Sequence, residues 1–373
     1  MGKLLTPAAI AIEPAAAQLT TKITTRKQIC KLIAAIIASI LLSISAILLL
    51  ALVRGCNTIS SRVADLPKHT PPVYNNTIPT YKAGDVFTVV ADTQRTSFFE
   101  CAIFREVNDD ATVKILHQIS KARNSSFTVI SGDLVYDGSD PEHWRWFDHN
   151  IDLANLQSTT LLPVLGNHEY WGDDQKALDN LRQRFPLPST FYSKVWGSCG
   201  LIMLDANIQK NELWADQLAF FDSTLNEFDS NSDIKSIIIF THQPPYTNSA
   251  LLPSDKLVRE SFVPKFCNSL KGVAFVSAHA HGYERFLGCK EKKRAFVVSA
   301  GGGGPRPGLD EIDDDDGSDG MIDEYNGFGA DDDKRPFNYL EISILGGEDD
   351  GGGVRIRVVG VDGEVLESFN ASP

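Results

Sequence analysis

Five short apolar runs in this chain each end on residues whose side chains are common metal donors. VFTVVA (86–91) is followed by Asp92, FTVIS (127–131) by Gly132-Asp133, TLLPVLG (160–166) by Asn167-His168-Glu169, SIIIF (236–240) by Thr241-His242, and VAFVSA (273–278) by His279-Ala280-His281. A lone Asp or His at a strand end is ordinarily a cap or a satisfied polar group. Five such ends carrying carboxylate, imidazole and amide donors together point to a metal site. These donors suit first-row divalent or trivalent ions, and two cations about 3.5 to 4 Å apart need a shared carboxylate to offset their repulsion. His279 and His281 are two residues apart, so in an extended segment both face one side and can serve neighbouring ions. Such a pair of ions activates water for hydrolysis.

The elements that must position these residues follow from periodicity. Between the apolar runs lie ATVKILHQISKA, the region from Trp144 to Leu156, KALDNLRQRF, ADQLAFFDSTLNEF and KLVRESFVPKFCNSL, each with apolar spacings near three and four. Alternating strand and helix predicts an α/β domain whose strands are largely parallel and buried on both faces. In an open sheet of that kind the carboxyl ends of the strands converge on one edge, where ligands bind. The C-terminal third differs: FYSKVWGSCGLIMLDA, RAFVVSA, NYLEISIL and VRIRVVG are strand-like without long helices between them, and GGGGP (301–305) marks a turn. A second, more antiparallel sheet is expected there.

Taken in order, Asp92, GDLVYDG (132–138), Gly166-Asn167-His168-Glu169, His242 and Ala278-His279-Ala280-His281 resemble the motifs of the calcineurin-like metallophosphoesterases. Tyr136, HQPPY (242–246) and AHAHGYERF (278–286) are similar, more narrowly, to the purple acid phosphatases. The resemblance spans roughly residues 86–300. It implies a four-layer α/β/β/α sandwich, with two mixed sheets face to face and helices outside. It also implies that Asp133 bridges two metals, with Asp92, Tyr136 and His281 completing one site and Asn167, His242 and His279 the other. His168, oriented by Glu169, would lie beside the reacting phosphorus and stabilise the transition state or protonate the leaving alkoxide. Tyr246, Tyr283 and Arg285 are candidates for shaping the substrate pocket.

The chain departs from the wider family at two positions. Gln94 stands two residues after the first Asp, where His is usual, and its amide oxygen is a weaker donor than imidazole; Ala278 stands where Gly is usual. A tyrosinate at Tyr136 favours trivalent iron, so the expected cofactor is iron paired with zinc, manganese or a second iron; without that ligation two divalent ions are expected. The implied reaction is hydrolysis of a phosphate ester, monoesters ahead of diesters, by a hydroxide bridging the two metals. The rival reading is an extracytoplasmic receptor or binding module that keeps the metals for stability and turns nothing over. The complete donor set with His168-Glu169 argues for the enzyme.

Residues 32–53 carry no charge over 22 positions, enough as a helix to cross a hydrocarbon core of about 30 Å. That is longer than the apolar part of a cleaved signal peptide, about 7 to 15 residues, so a single-pass signal-anchor is expected. Lys22, Arg26, Lys27 and Lys31 crowd its N-terminal side, which puts the tail (1–31) in the cytoplasm. The proline-rich segment 54–84 is then a linker, and the metallophosphoesterase domain (85–373) lies outside.

The formal net charge of -13 belongs mostly to one insertion, since residues 309–333 hold twelve acidic and no basic residues and the rest of the chain sums to -1. Nothing in that balance suits nucleic acid as a partner. Asp315, Asp319, Gly320 and Ile322 fall partly on a calcium-loop template, but Asn326 stands where a bidentate Glu belongs, so a solvated insertion is the reading. Cys30 and Cys56 flank the apolar helix, leaving Cys101, Cys199, Cys267 and Cys289 for two disulfides in any of three pairings.

Overall fold

A computed structural model describes residues 13–68, 70–209, 212–249, 251–306, 322–323, 336–346 and 352–373. The chain divides into two units, the first ending at Cys56 and the second running from Asn57 to Pro373. The first contains helix α1 (Glu13–Val53). Its portion Gln28–Val53 has a mean hydropathy of 2.9, and Leu32, Ile33, Ile36, Ile37, Leu41 and Leu42 are all exposed. A helix apolar around its whole circumference is long and apolar enough to cross a membrane.

The second unit runs, in chain order, through α2 (Ile59–Val63), β1 (Val86–Val90), α3 (Phe98–Ala102), α4 (Asp109–Lys121), β2 (Ser125–Ser131), α5 (Pro141–Leu153), β3 (Thr160–Val164), α6 (Asp174–Arg184), β4 (Tyr192–Trp196) and β5 (Cys199–Met203). It continues with α7 (Leu213–Ser230), β6 (Ser236–Phe240), α8 (Lys256–Asn268), β7 (Gly272–Ser277), β8 (Tyr283–Gly288), β9 (Arg294–Ser299), β10 (Ile322–Asp323), β11 (Asn338–Ile344), β12 (Val354–Gly360) and β13 (Val365–Ala371). Helix starts follow local chemistry: Asp140 caps α5 ahead of Pro141, and Asp255 caps α8 through the Val258 amide.

Six strands form one sheet in the order β13-β12-β11-β1-β2-β3, and seven form the other in the order β10-β8-β9-β7-β6-β5-β4. The period of two along each strand makes the layers. Phe87 and Val89 of β1, Phe127 and Val129 of β2, Leu201 and Met203 of β5, and Ile238 and Phe240 of β6 fill the space between the sheets. The intervening Val90 and Ile130 face α4, α5 and α6 through Ile115, Trp144, Phe147 and Leu181. On the other side, Ile202, Ile237 and Ile239 face α7 and α8 through Phe221, Phe262 and Phe266. Each fully buried Phe or Ile stabilises the fold by about 1.5–3 kcal/mol relative to exposure. Three apolar seams thus join four layers, helix, sheet, sheet and helix, as the family resemblance implies.

The division into an early parallel sheet and a late antiparallel one is not what the chain adopts. β1, β2 and β3 are parallel neighbours in the first sheet, while β5, β6, β7 and β9 are parallel neighbours in the second. The late strands β11, β12 and β13 return to extend the first sheet, β11 pairing antiparallel with β1. Periodicity identifies which faces of a strand are buried and says nothing of which strand lies beside it.

Within the second unit, the proline-rich segment packs against the helices that follow it. Tyr74 is buried, stacks on Phe185 with ring centroids 5.2 Å apart, and donates its hydroxyl proton to Asp148 at 2.9 Å. Cys267 and Cys289 form a disulfide between the end of α8 and the turn after β8. Cys199 corrects the expected set of four: it is a free thiol, fully buried in β5, where burial pushes its pKa up to about 12. The calcium-loop match, apart from Ile322, lies outside the described residues.

Candidate metal centre

The five donor-bearing strand ends belong to two sheets, so the site forms where β1, β2 and β3 of one sheet end against β6 and β7 of the other. One donor atom each from Asp133, His242 and His279 lies within 4.8 Å of the others, and the same holds for Asp92, Asp133 and His281. Asp133 is common to both groups. Asp92, Asp133, His279 and His281 have left-handed backbones, with φ of 58°, 53°, 70° and 45°. Such conformations cost about 1–3 kcal/mol each and persist only where the surroundings enforce them. Gly132 and Gly166 permit the close approach: a Cβ on Gly132 would come within 2.3 Å of His242 Nδ1, and one on Gly166 within 2.2 Å of Asp133 Oδ1.

Backbone carbonyls fix the imidazoles. His242 Nδ1 donates to the Ser131 carbonyl at 2.9 Å and His281 Nδ1 to the Pro305 carbonyl at 2.7 Å. Their Nε2 atoms are thereby aimed inward, 3.2 Å from Asp133 Oδ2 and 3.3 Å from Asp92 Oδ1 respectively. This is the arrangement in which a protein orients histidine ligands. Asp92 Oδ2 accepts from the His279 amide at 3.2 Å.

Burial opposes charge on every group in the cluster, and the neighbours decide the outcome. Burial works against ionisation of Asp133, but the His168, His242 and His279 imidazoles outweigh it and hold its carboxyl far below the usual range. For Asp92 burial prevails over His242 and His281, and its carboxyl is raised. His242 is pushed up to about 10 against its burial by Asp133 and Asp92, while burial and the neighbouring His242 bring His279 down to about 3. Two buried oxygens, Asn167 Oδ1 and Asp92 Oδ1, accept no well-aligned hydrogen bond. A buried acceptor without a donor costs about 1–3 kcal/mol, and a cation beside it removes that cost. The orphaned oxygens and the carboxylate, imidazole and amide donors therefore fit a pair of metal ions.

His168 sits at the rim with its Nδ1 donating to the Tyr136 carbonyl at 2.6 Å and its Nε2 3.6 Å from Asp133 Oδ2. Glu169 does not hold that ring. Its fully buried carboxylate accepts from the amides of Gly166 at 2.7 Å and of Asp133 and Leu134 at 2.8 Å each, so it braces the loop that carries Asp133. Burial, together with the Asp133 charge, pushes Glu169 up to about 7. Gln94, 2% exposed, lies inside the cluster with its amide 3.1 Å from His281 Nε2. Its groups are best satisfied with the oxygen toward that ring and the nitrogen donating to the Asp92 and Asp133 carbonyls, at 3.2 and 3.1 Å. The Tyr136 hydroxyl meets the Ser97 side chain, and its ring contacts His143, His168 and Trp171.

Two of the three pocket candidates are engaged by β13. Tyr283 is buried between the sheets and donates to Glu367 of β13 at 2.5 Å, and Arg285 donates to the same carboxylate at 2.9 and 2.5 Å. Tyr246 packs edge-on against Phe296, with the Arg259 guanidinium 5.7 Å from its ring. Trp171 lies outside the sequence motifs. The ring of Trp171 stacks on that of His168 with centroids 3.7 Å apart, and the signal was a three-residue spacing across a single 3-10 turn.

Residues 86–283 match the sequence model of the calcineurin-like phosphoesterases. No curated protein matches the chain. Among solved structures it is similar to the purple acid phosphatase PPD1 of yellow lupin seeds, at 17% identity and a TM-score of 0.58, over 80% of this chain and 55% of that one. It is also similar to GAP50, the anchor in the inner membrane complex of Plasmodium, at 14% identity and a TM-score of 0.53, over 78% of this chain and 89% of that one. The chain thus spans about half the length of the lupin protein, and at these identities the likeness is one of fold. The family match covers over half the chain, from β1 to the first residue of β8, and takes in all five donor-bearing strand ends: the chain belongs to the calcineurin-like phosphoesterases.

Proposed function

We propose that the chain is a membrane-anchored phosphoesterase that hydrolyses phosphate esters, monoesters ahead of diesters, at a dinuclear metal centre. The observation that carries this reading is the sharing of Asp133 between two groups of converging donors. Asp92, Asp133 and His281 would hold one ion, and Asp133, Asn167, His242 and His279 the other. Gln94 is the fourth donor of the first site in this reading. Tyr136, its hydroxyl engaged by Ser97, is set aside, which favours two divalent ions over an iron tyrosinate.

When bound, the two ions supply an activated water and offset charge on the phosphoryl group. The protein's own contribution is placement. The Ser131 and Pro305 carbonyls hold His242 and His281 in the tautomer whose Nε2 is inward, and Glu169 braces the Asp133 loop. With Nδ1–H held by the Tyr136 carbonyl, the His168 imidazolium turns its Nε2–H to the cluster and acts as general acid for the leaving alkoxide. The apolar helix Gln28–Val53 is taken as the anchor, and the basic residues Lys22, Arg26, Lys27 and Lys31 support a cytoplasmic N-terminal side. Residues 1–31 then form the tail, 32–53 the span, 54–84 the linker and 85–373 the catalytic domain.

The test is metal content of the pure full-length chain together with hydrolysis of an aryl phosphate monoester and diester across pH. Two divalent ions per chain with monoester turnover is the expected result. Metal bound without hydrolysis of either substrate would favour a second reading, a metal-stabilised binding or anchoring module, which the likeness to GAP50 supports.

A further inference from the structure

His168 opens a single 3-10 turn, His168–Tyr170, and in that geometry side chains three residues apart eclipse. Trp171 therefore lies over His168, its ring plane 29° from parallel and its centroid 3.7 Å away. The turn is held from both sides, since the Trp171 amide donates to the His168 carbonyl and the Trp171 carbonyl accepts from the Ser139 amide, each at 3.2 Å. Tyr136 closes a third side, its ring 5.3 Å from His168 and edge-on to Trp171 at 5.2 Å. His168 is 8% exposed under this cover, yet Trp171 is 41% exposed. Large aromatic side chains are ordinarily buried to a greater degree than this, and a half-open indole beside a reactive site offers a stacking face.

We infer that Trp171, with Tyr136 beside it, is the wall against which the leaving group stacks, so that the site prefers phosphate esters of aromatic alcohols. The inference rests on the phosphoesterase reading and names its substrate class. As the bond from phosphorus to the ester oxygen breaks and the bond from phosphorus to the water oxygen forms, the His168 imidazolium gives its Nε2 proton to the departing oxygen, keeps Nδ1–H on the Tyr136 carbonyl, and is recharged at Nε2 by the proton the water loses. A ring joined directly to that oxygen stays within reach of the indole stacked on His168. An alkyl chain in the same place has no planar face to present.

The experiment compares the full-length, metal-loaded chain with Trp171→Ala, Trp171→Phe and Trp171→Leu, using phenyl phosphate, tyrosine phosphate and glycerol phosphate as substrates. In Trp171→Ala the ratio of aryl to alkyl kcat/KM is expected to fall roughly three- to tenfold, carried by KM, and Trp171→Phe should recover most of it. Trp171→Leu, which keeps bulk without a π face, serves if the alanine variant does not fold. Calorimetric titration with phenylphosphonate and methylphosphonate reads the same preference without turnover, and the ratio of the two affinities should fall by the same factor. Equal loss on aryl and alkyl substrates, with both ratios unchanged, would overturn the inference and leave the phosphoesterase reading standing. A wild-type chain that binds metal and hydrolyses none of the substrates would overturn both.

Discussion

Asp133 touches more of the centre than any other residue: its side chain lies in both donor groups, and Oδ1 accepts the His168 amide at 3.0 Å. Asp133→Asn is therefore expected to lose both ions and all activity, which metal analysis of the purified variant checks. His168→Ala removes a ring that belongs to neither group, so it should keep both ions while turnover falls by about 10² to 10⁴. Unchanged turnover would refute its role as the acid. Glu169→Ala leaves the Gly166, Asp133 and Leu134 amides unpaired in the interior, which should lower stability by at least about 3 kcal/mol in denaturant unfolding. A residue that merely oriented a rim imidazole would show no such loss. The donors were legible because each stands directly after an apolar run. Adjacency could not reveal direction: Glu169 follows His168 but points the opposite way, to backbone amides, and Tyr283 and Arg285 follow His281 but turn to Glu367.

Strands and helices were legible from period alone wherever a run was buried on both faces, as in β1, β2, β6 and β7, or carried one apolar stripe, as in α4. Partnership between elements was not. β11 reaches β1 across more than two hundred residues, and no local signal records that pairing. The Cys267–Cys289 disulfide ties α8 to the turn after β8, closing a loop of 22 residues that contains β7 and the His279-His281 segment. Cys289→Ser should cost about 2–4 kcal/mol, and the midpoint of chemical denaturation is the readout. The same variant should weaken metal binding only slightly, because both histidines are also held from other elements, His279 by Asp92 and His281 by Pro305.

At the scale of the whole molecule, the centre stores protons when it lacks ions. Glu169 has its folded pKa raised to about 7 and His242 to about 10. Each contributes stability that is present below its unfolded pKa and lost as pH rises through the folded value. The melting temperature of metal-free protein should accordingly fall as pH rises from about 6.5 to about 10 through His242, the Glu169 share being already lost by about pH 7. Loading with divalent ions should raise the melting temperature and flatten that slope, since the cations take the place of the protons; an equal slope with and without metal would contradict this. Calorimetry at matched ionic strength makes the comparison.

Because the donors come from two sheets that pack face to face through side chains, the spacing of the donor groups is set by how far one sheet can slide over the other. Phe87, Val89, Ile238 and Phe240 act in this respect as the bearing surface of an instrument. A misplacement of about 1 Å between reacting groups can cost a hundredfold in rate, so tolerance for change in that layer should be narrower than in either helical layer, although all three are equally dry. The outer layers can be worn, thickened or remodelled; the inner one sets the gauge.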